Sequence, residues 1–293
     1  MQIGVVVTID GEEQTTPRYR DVRALALEAE ARGVDSVWLY DHLLFRGEGP
    51  DKGQWECFTL LAALAEATSR VTLGPLVACS PFRNPALLAK MAVTLDEVSG
   101  GRFVLGVGAG WNEPEFRAFG FPFDHRVDRL EEAVRIIGPL LHEGRVDFDG
   151  RYERAPGCAM VPRGPRADGP RLMVAAFKPR MLRLAARYAD HLTTMFDLDS
   201  AQPRAEIEAI CAEVGRDPAT LELSHTLWAA FPDLGPIPNH MRDRVIPSAD
   251  ALAAALERYG AIGLDHVMVD VRPNTSAALE RLDAAVRLYR ETL

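Results

Sequence analysis

In the stretch VWLYDHLLF, Asp41 and His42 set a carboxylate beside an imidazole just past a short apolar run. A carboxylate can orient a neighbouring imidazole and favour its charged form. Such a pair suits proton transfer, or the stabilisation of negative charge developing on a substrate. The plainer alternative is that Asp41 caps the next helix and His42 packs there. A second candidate lies in AAFKPRML, where Lys178 and Arg180 fall at the start of a predicted helix. Cations are unfavourable at that positive pole, and a bound anion would resolve the conflict. Two solvated surface charges would also account for them. A third lies in RFVLGVGAGWNEPEF, with glycines at 106, 108 and 110. A dinucleotide-binding turn needs its third glycine at 111, which is Trp, and an acidic strand end about 20 residues on, where the chain instead reads as helix. What remains is a strand ending in a glycine turn, which lets a backbone approach a ligand or a neighbouring element closely.

Other chemistries find no support. Cys57, Cys79, Cys158 and Cys211 match no zinc spacing, and none has a histidine within a few residues. The simplest reading of them is a reduced state in the cytoplasm. HEGRV at His142 lacks the second histidine of a metalloprotease helix, and no Gly-x-Ser-x-Gly elbow occurs. No metal is expected. A net charge of −9 argues against general nucleic-acid binding. MQIGVVVTID has no basic region or cleavage site, and no run of 18 apolar residues would span a membrane. The expected partners are a small-molecule substrate and, at most, a second copy of the chain.

These residues need elements to position them. Short, β-branched runs predict strands at 2–9, 36–41, 71–79, 102–108, 171–176, 191–196, 221–231 and 266–271. Helical spacing follows each of them, as in 19–33, 58–69, 84–101, 126–144, 179–189, 203–214, 249–259 and 276–293. Eight strand–helix units predict an α/β fold, a (β/α)8 TIM barrel over residues 1–293, with insertions after strands four and seven. Gly74 and Pro75 sit awkwardly within the third strand and predict a bulge there. A small hairpin is expected at 145–154, and the loops 43–56, 155–170 and 232–248 are expected to shape a pocket. In such barrels the chemistry lies at the C-terminal ends of the strands, where Asp41 and His42 would fall.

The segments SVWLYDHLL, RNPALLAKMAVTLDEVSGGRFVLGVGAGWNEPEFRAFGFPF and RVDRLEEAVRIIGPLL strongly resemble the bacterial luciferase-like flavin and deazaflavin oxidoreductases. The resemblance runs across the chain and is most specific from Val71 to Leu141. It implies a barrel that binds FMN or coenzyme F420 at its C-terminal mouth. It assigns catalysis to His42 and Asp41, with Asp41 also near the cofactor. A bulge with a non-prolyl cis peptide is implied near Leu76 and Val77, with Ala78 and Cys79 lining the ring. The glycine turn falls on Gly108, Ala109 and Gly110, with Ala109 and Gly110 lying against the cofactor. The phosphate-contacting turn falls on Ala175, Ala176 and Phe177, and Lys178 and Arg180 would hold a phosphate or an acidic tail. Many relatives have glycine in the turn where this chain has Phe177, and many FMN-dependent ones have a tyrosine where it has Val127. The implied activity is hydride transfer between F420 and a small organic substrate. An FMN-dependent monooxygenase and a non-catalytic cofactor-binding barrel are the alternatives.

Overall fold

The structure is a computed structural model that describes residues 1–47, 49–194 and 203–292. Nine parallel strand segments form one sheet that curls into a nearly closed barrel. In chain order these are Gln2–Val6, Ser36–Leu39, Thr72–Pro75 with Ala78–Cys79, Val104–Gly108, Arg171–Ala175, His191–Thr194, Glu222–Ala230 and His266–Arg272. Thr72–Pro75 and Ala78–Cys79 are two pieces of one expected strand, so the eight strand–helix units hold. The fourth strand meets the first piece at a Leu73–Phe103 bridge and pairs with the second through Ala78–Val107 and Cys79–Gly108. Most of these strands read as near-continuous apolar runs because both of their faces are covered. One face packs under the helices, through residues such as Ile3, Val37, Leu105 and Leu172. The other fills the barrel, through Val6, Trp38, Leu76, Val104, Met173 and Met268.

The helices start and stop where local chemistry dictates. Asn84 accepts a hydrogen bond from the Leu87 N–H and starts Pro85–Ser99, which ends on Gly100 in the left-handed region at φ 66°. Glu56 caps Cys57–Ala67 by accepting from the Phe58 and Thr59 N–H groups. Ser248 and Thr275 do the same for Ala249–Ala261 and Ser276–Glu291.

The interruption of the third strand falls where Gly74 and Pro75 predict it. The strand stops after Pro75, and the Leu76–Val77 peptide is cis. The glycines of the fourth strand make this packing possible. A Cβ at Gly106 would lie 2.4 Å from the Pro75 carbonyl oxygen, and one at Gly108 would lie 2.8 Å from the Val77 side chain. These two glycines therefore serve the neighbouring strand.

Several boundaries differ from the sequence reading. The first strand ends at Val6, and the sixth is described to Thr194, residues 195 and 196 lying outside the described residues. The hairpin is longer than expected, Arg145–Asp149 against Arg154–Ala159. The segment 155–170 does not shape the mouth. Arg166 ties it to Asp96 and to the Phe103 carbonyl, at the opposite, N-terminal end of the fourth strand. Chain order explains this, since the segment runs from a helix into a strand. The loop 43–56, by contrast, builds a small antiparallel sheet of Asp10–Gly11, Leu44–Phe45 and Lys52–Gln54 above the mouth. The expected insertion after the seventh strand holds two 3-10 turns, Pro232–Leu234 and Asn239–Arg244.

Candidate active site

Asp41 and His42 follow the second strand, at its C-terminal end, as expected, but they do not act on each other. Asp41 is buried, and both of its oxygens are taken. It accepts from the Cys79 N–H at 2.9 Å and from both arms of Arg83 at 2.7 and 3.0 Å. Arg83 also donates to Glu56 at 2.6 Å and stacks over the Phe58 ring. Burial pushes the Asp41 carboxyl above its ordinary value, against the opposing pull of Arg83. Asp41 thus anchors the second piece of the third strand, through Cys79, to the start of the helix at Cys57.

The carboxylate that holds His42 is Glu115, from the helix Glu113–Phe119 after the fourth strand. Its side chain is buried, and Oε1 lies 2.9 Å from His42 Nδ1. Its other oxygen accepts from the Leu43 and Leu44 N–H groups at 2.8 and 3.3 Å. A carboxylate only accepts, so Nδ1 carries the proton and Nε2 is left for other partners. Asn112 adds a clip by donating to the Leu44 carbonyl at 2.8 Å, and the His42 N–H donates to Gln54. The half-buried imidazole is therefore fixed from two loops at once. Phe45 and Trp111 flank it, with ring centroids 4.6 and 5.4 Å away.

At the C-terminal ends of the neighbouring strands Tyr40, Ala109 and Ala175 are half-buried, as is Val77 in the break of the third strand. Tyr40 donates to Asp270 at 3.0 Å, and Asp270 pairs with Arg272 at 2.7 Å. Arg272 in turn approaches Asp10 at 3.7 Å. Arg244, from the loop after the seventh strand, lies over Trp228.

The other expected site residues divide. Leu76 and Val77 belong to the barrel-filling layer, with Val77 the more open. Ala78 and Cys79 are buried in protein, Ala78 in the main core and Cys79 in a cluster with Phe82 and Phe116. Burial pushes the Cys79 thiol well up, with Asp41 and Glu115 adding to it. Gly108 is buried, while Ala109 and Gly110 are half-buried. Gly110 answers to protein, not to open space. Its φ is +72°, and an added Cβ would lie 2.5 Å from Cys79 Sγ and 2.7 Å from the Phe116 ring. A side chain there would disturb the fold itself, so the close approach seen at Gly110 is that of Cys79 and Phe116.

At the fifth strand, Ala175 is half-buried, and the buried Ala176 spends its N–H on the Thr193 carbonyl, so it cannot donate to a phosphate. Phe177 is exposed. Lys178 is exposed at the start of Pro179–Tyr188, a helix without a capping side chain. Arg180 is not an unpaired cation. It bridges Asp128 and Glu131 of the helix Arg126–His142 at 2.7 and 2.6 Å. Two carboxylates of the chain resolve the conflict that suggested an anion at that residue.

Sequence reasoning missed Glu115, Arg83 and Glu56. Glu115 carried a usable signal, an acidic residue in the first turn of a helix just past a barrel strand. Among the described residues, no cluster of His, Cys, Asp and Glu could hold a metal ion, and no helix is long and apolar enough to cross a membrane. All four cysteines are free.

Comparisons with known proteins agree with this architecture. The family model for luciferase-like monooxygenases matches residues 1–233. A pyrimidine monooxygenase RutA from Agrobacterium fabrum is 32% identical over 208 residues, which are 65% of this chain and 56% of that protein. The RutA of Rhizobium rhizogenes is 30% identical over 246 residues, 76% of this chain and 66% of that protein. The chain thus spans between half and two thirds of these relatives' length. Among solved structures, an F420-dependent secondary alcohol dehydrogenase in complex with an F420-acetone adduct superposes with a TM-score of 0.82 at 22% identity, over 99% of both chains. The monooxygenase RslO1 from Streptomyces bottropensis gives 0.77 at 21% identity, over all of this chain and 98% of that one. At these identities the structural likeness is one of fold.

Proposed function

The chain belongs to the luciferase-like monooxygenase family, and we propose that it is an oxidoreductase passing a hydride between the deazaflavin coenzyme F420 and a small organic substrate. The observation that carries this reading is the His42–Glu115 pair at the barrel mouth. When a hydride joins or leaves a carbon that bears oxygen, a proton must move on or off that oxygen. His42 Nε2 is placed to hold it, and the buried Glu115 carboxylate steadies the imidazole in either charge state. The cofactor supplies the hydride chemistry, and the protein supplies binding and orientation.

The mouth suits a flat ring. Val77 stands at the interrupted third strand, and the neighbouring strand ends carry only the methyl groups of Ala109 and Ala175. Leu76 would support the ring from the barrel side. A phosphate would lie toward Phe177 and Lys178, at the uncapped helix start. Val127, 40% exposed in the first turn of Arg126–His142, offers no hydroxyl to an FMN phosphate, which favours the deazaflavin.

A second reading, an FMN-dependent monooxygenase, is favoured by the activity named for the RutA relatives. Titrating the purified protein with oxidised F420 and with FMN, followed by absorbance and fluorescence, decides between them. We expect saturable F420 binding at least about 10-fold tighter than FMN. Binding of FMN alone would overturn the deazaflavin reading, and binding of neither would leave a barrel without this chemistry.

A further inference from the structure

We propose that Trp111, in the corner it forms with His42 and Phe45, carries on its open face a planar aromatic ring bearing an oxygen substituent, with that oxygen at His42 Nε2. The inference deepens the reading above and rests on it for the role given to His42. Trp111 is 67% exposed, although it adjoins the buried Asn112 and lies two residues past the half-buried Ala109. His42 and Phe45 pack against part of the indole, and the rest of it is a large apolar face open to water at the site mouth. It is also held in place. Asn112 ties the Trp111 loop to the Leu44 carbonyl, and Glu115 ties the same loop to His42, Leu43 and Leu44. Phe45 is fixed in turn by pairing of Leu44–Phe45 with Lys52–Gln54.

The ring geometry says where a ligand would lie. The Phe45 and Trp111 centroids are 6.4 Å apart and their planes are tilted by 40°. A ring sandwiched between two others needs them parallel and roughly 7 Å apart, twice a stacking distance. The ligand therefore lies on the outer face of Trp111. His42 meets Trp111 edge to face, at 73°. Nδ1 is committed to Glu115, so Nε2 is the polar atom His42 offers to a ring seated there. A flat ring touches the indole over its whole face, whereas a puckered saturated ring touches it at a few hydrogens. The corner should therefore select planarity as well as apolarity.

The test compares 2-naphthol with trans-2-decalol, which share a carbon skeleton and a hydroxyl but differ in planarity. Both are titrated calorimetrically into the protein, without cofactor and again in the presence of F420 or FMN. We expect the wild type to bind 2-naphthol about 10-fold tighter than the decalol, the scale of an aromatic pair. Trp111→Ala should bring the two affinities within about 2-fold, and Trp111→Phe should keep most of the preference. His42→Ala should weaken 2-naphthol while leaving Trp111 in place to discriminate. Equal affinities in the wild type, or a preference that survives Trp111→Ala, would overturn the proposal. Because the corner is built by protein alone, the preference is read whether or not a cofactor binds. A naphthol preference without cofactor binding therefore sinks only the oxidoreductase reading, and cofactor binding without the preference sinks only this one.

Discussion

His42 and His266 are the same side chain at opposite ends of one barrel, and their surroundings differ in every respect that governs a proton. His42 is half-buried at the C-terminal mouth, with a buried carboxylate on one nitrogen and the other nitrogen left for partners. His266 starts the eighth strand at the N-terminal end and is buried. It shares a hydrogen bond of 2.8 Å with the Ser36 hydroxyl, which also accepts from the Trp38 indole. Its ring stacks on His191, which has no hydrogen-bond partner for Nε2 among the described residues. Burial, with Arg171 nearby, pushes His266 down to about 3, and burial likewise holds His191 well below its usual value. An imidazole can exchange protons in function only where a countercharge and access are both supplied. Without either it serves as a neutral packing group that also makes hydrogen bonds.

The sharpest test of this contrast lies at the closed end. His266 is neutral in the fold but takes up a proton when unfolded, so stability is full above about pH 6.5 and is lost as pH falls toward 3. Between pH 7 and pH 4 this one group should remove roughly 3 kcal/mol. His266→Gln keeps a hydrogen-bonding group for Ser36 but cannot titrate. Its stability, from urea melts across that range, should fall less steeply than that of the wild type, and parallel slopes would break the contrast.

At the mouth, His42→Ala should lower turnover by about 10²-fold, or about 2.7 kcal/mol in the barrier, while cofactor affinity falls much less. Equal losses in steady-state turnover and in cofactor titrations would make His42 a binding residue. Glu115→Gln keeps the shape but removes the countercharge, and turnover should drop by about 10-fold. A variant as active as the wild type would show that the carboxylate merely holds the Leu43–Leu44 turn. The smallest effect separates the two cations of the fifth unit. Lys178→Ala should weaken cofactor binding by about 3- to 10-fold and flatten its salt dependence. Arg180→Ala should leave both unchanged, because Asp128 and Glu131 already hold the guanidinium. Affinity titrations at two salt concentrations check both, and a larger loss for Arg180 would reverse the assignment.

The eight strand–helix alternation, the interrupted third strand and the placement of His42 were all legible in the sequence. Each is a local property: apolar periodicity, a Gly-Pro pair inside a strand, and position at a strand end. The helix limits were also local, set by Asn84, Ser248 and Thr275 together with Gly100. The partners were not. Asp41 adjoins His42 in sequence, yet successive residues at a strand end point in different directions, and Asp41 turned to Arg83 and Cys79. The carboxylate that reached His42 stands 73 residues away. Arg180 looked unpaired until a helix that starts 54 residues earlier supplied Asp128 and Glu131. Gly106, Gly108 and Gly110 left open whether a ligand or a neighbouring element comes close, and in the fold two of them admit the neighbouring strand and the third admits Cys79 and Phe116. Periodicity along the chain decides which residues lie on a strand and at which end. Which charges meet, and which small residues make room, depends on separations across the barrel that only closure of the sheet defines.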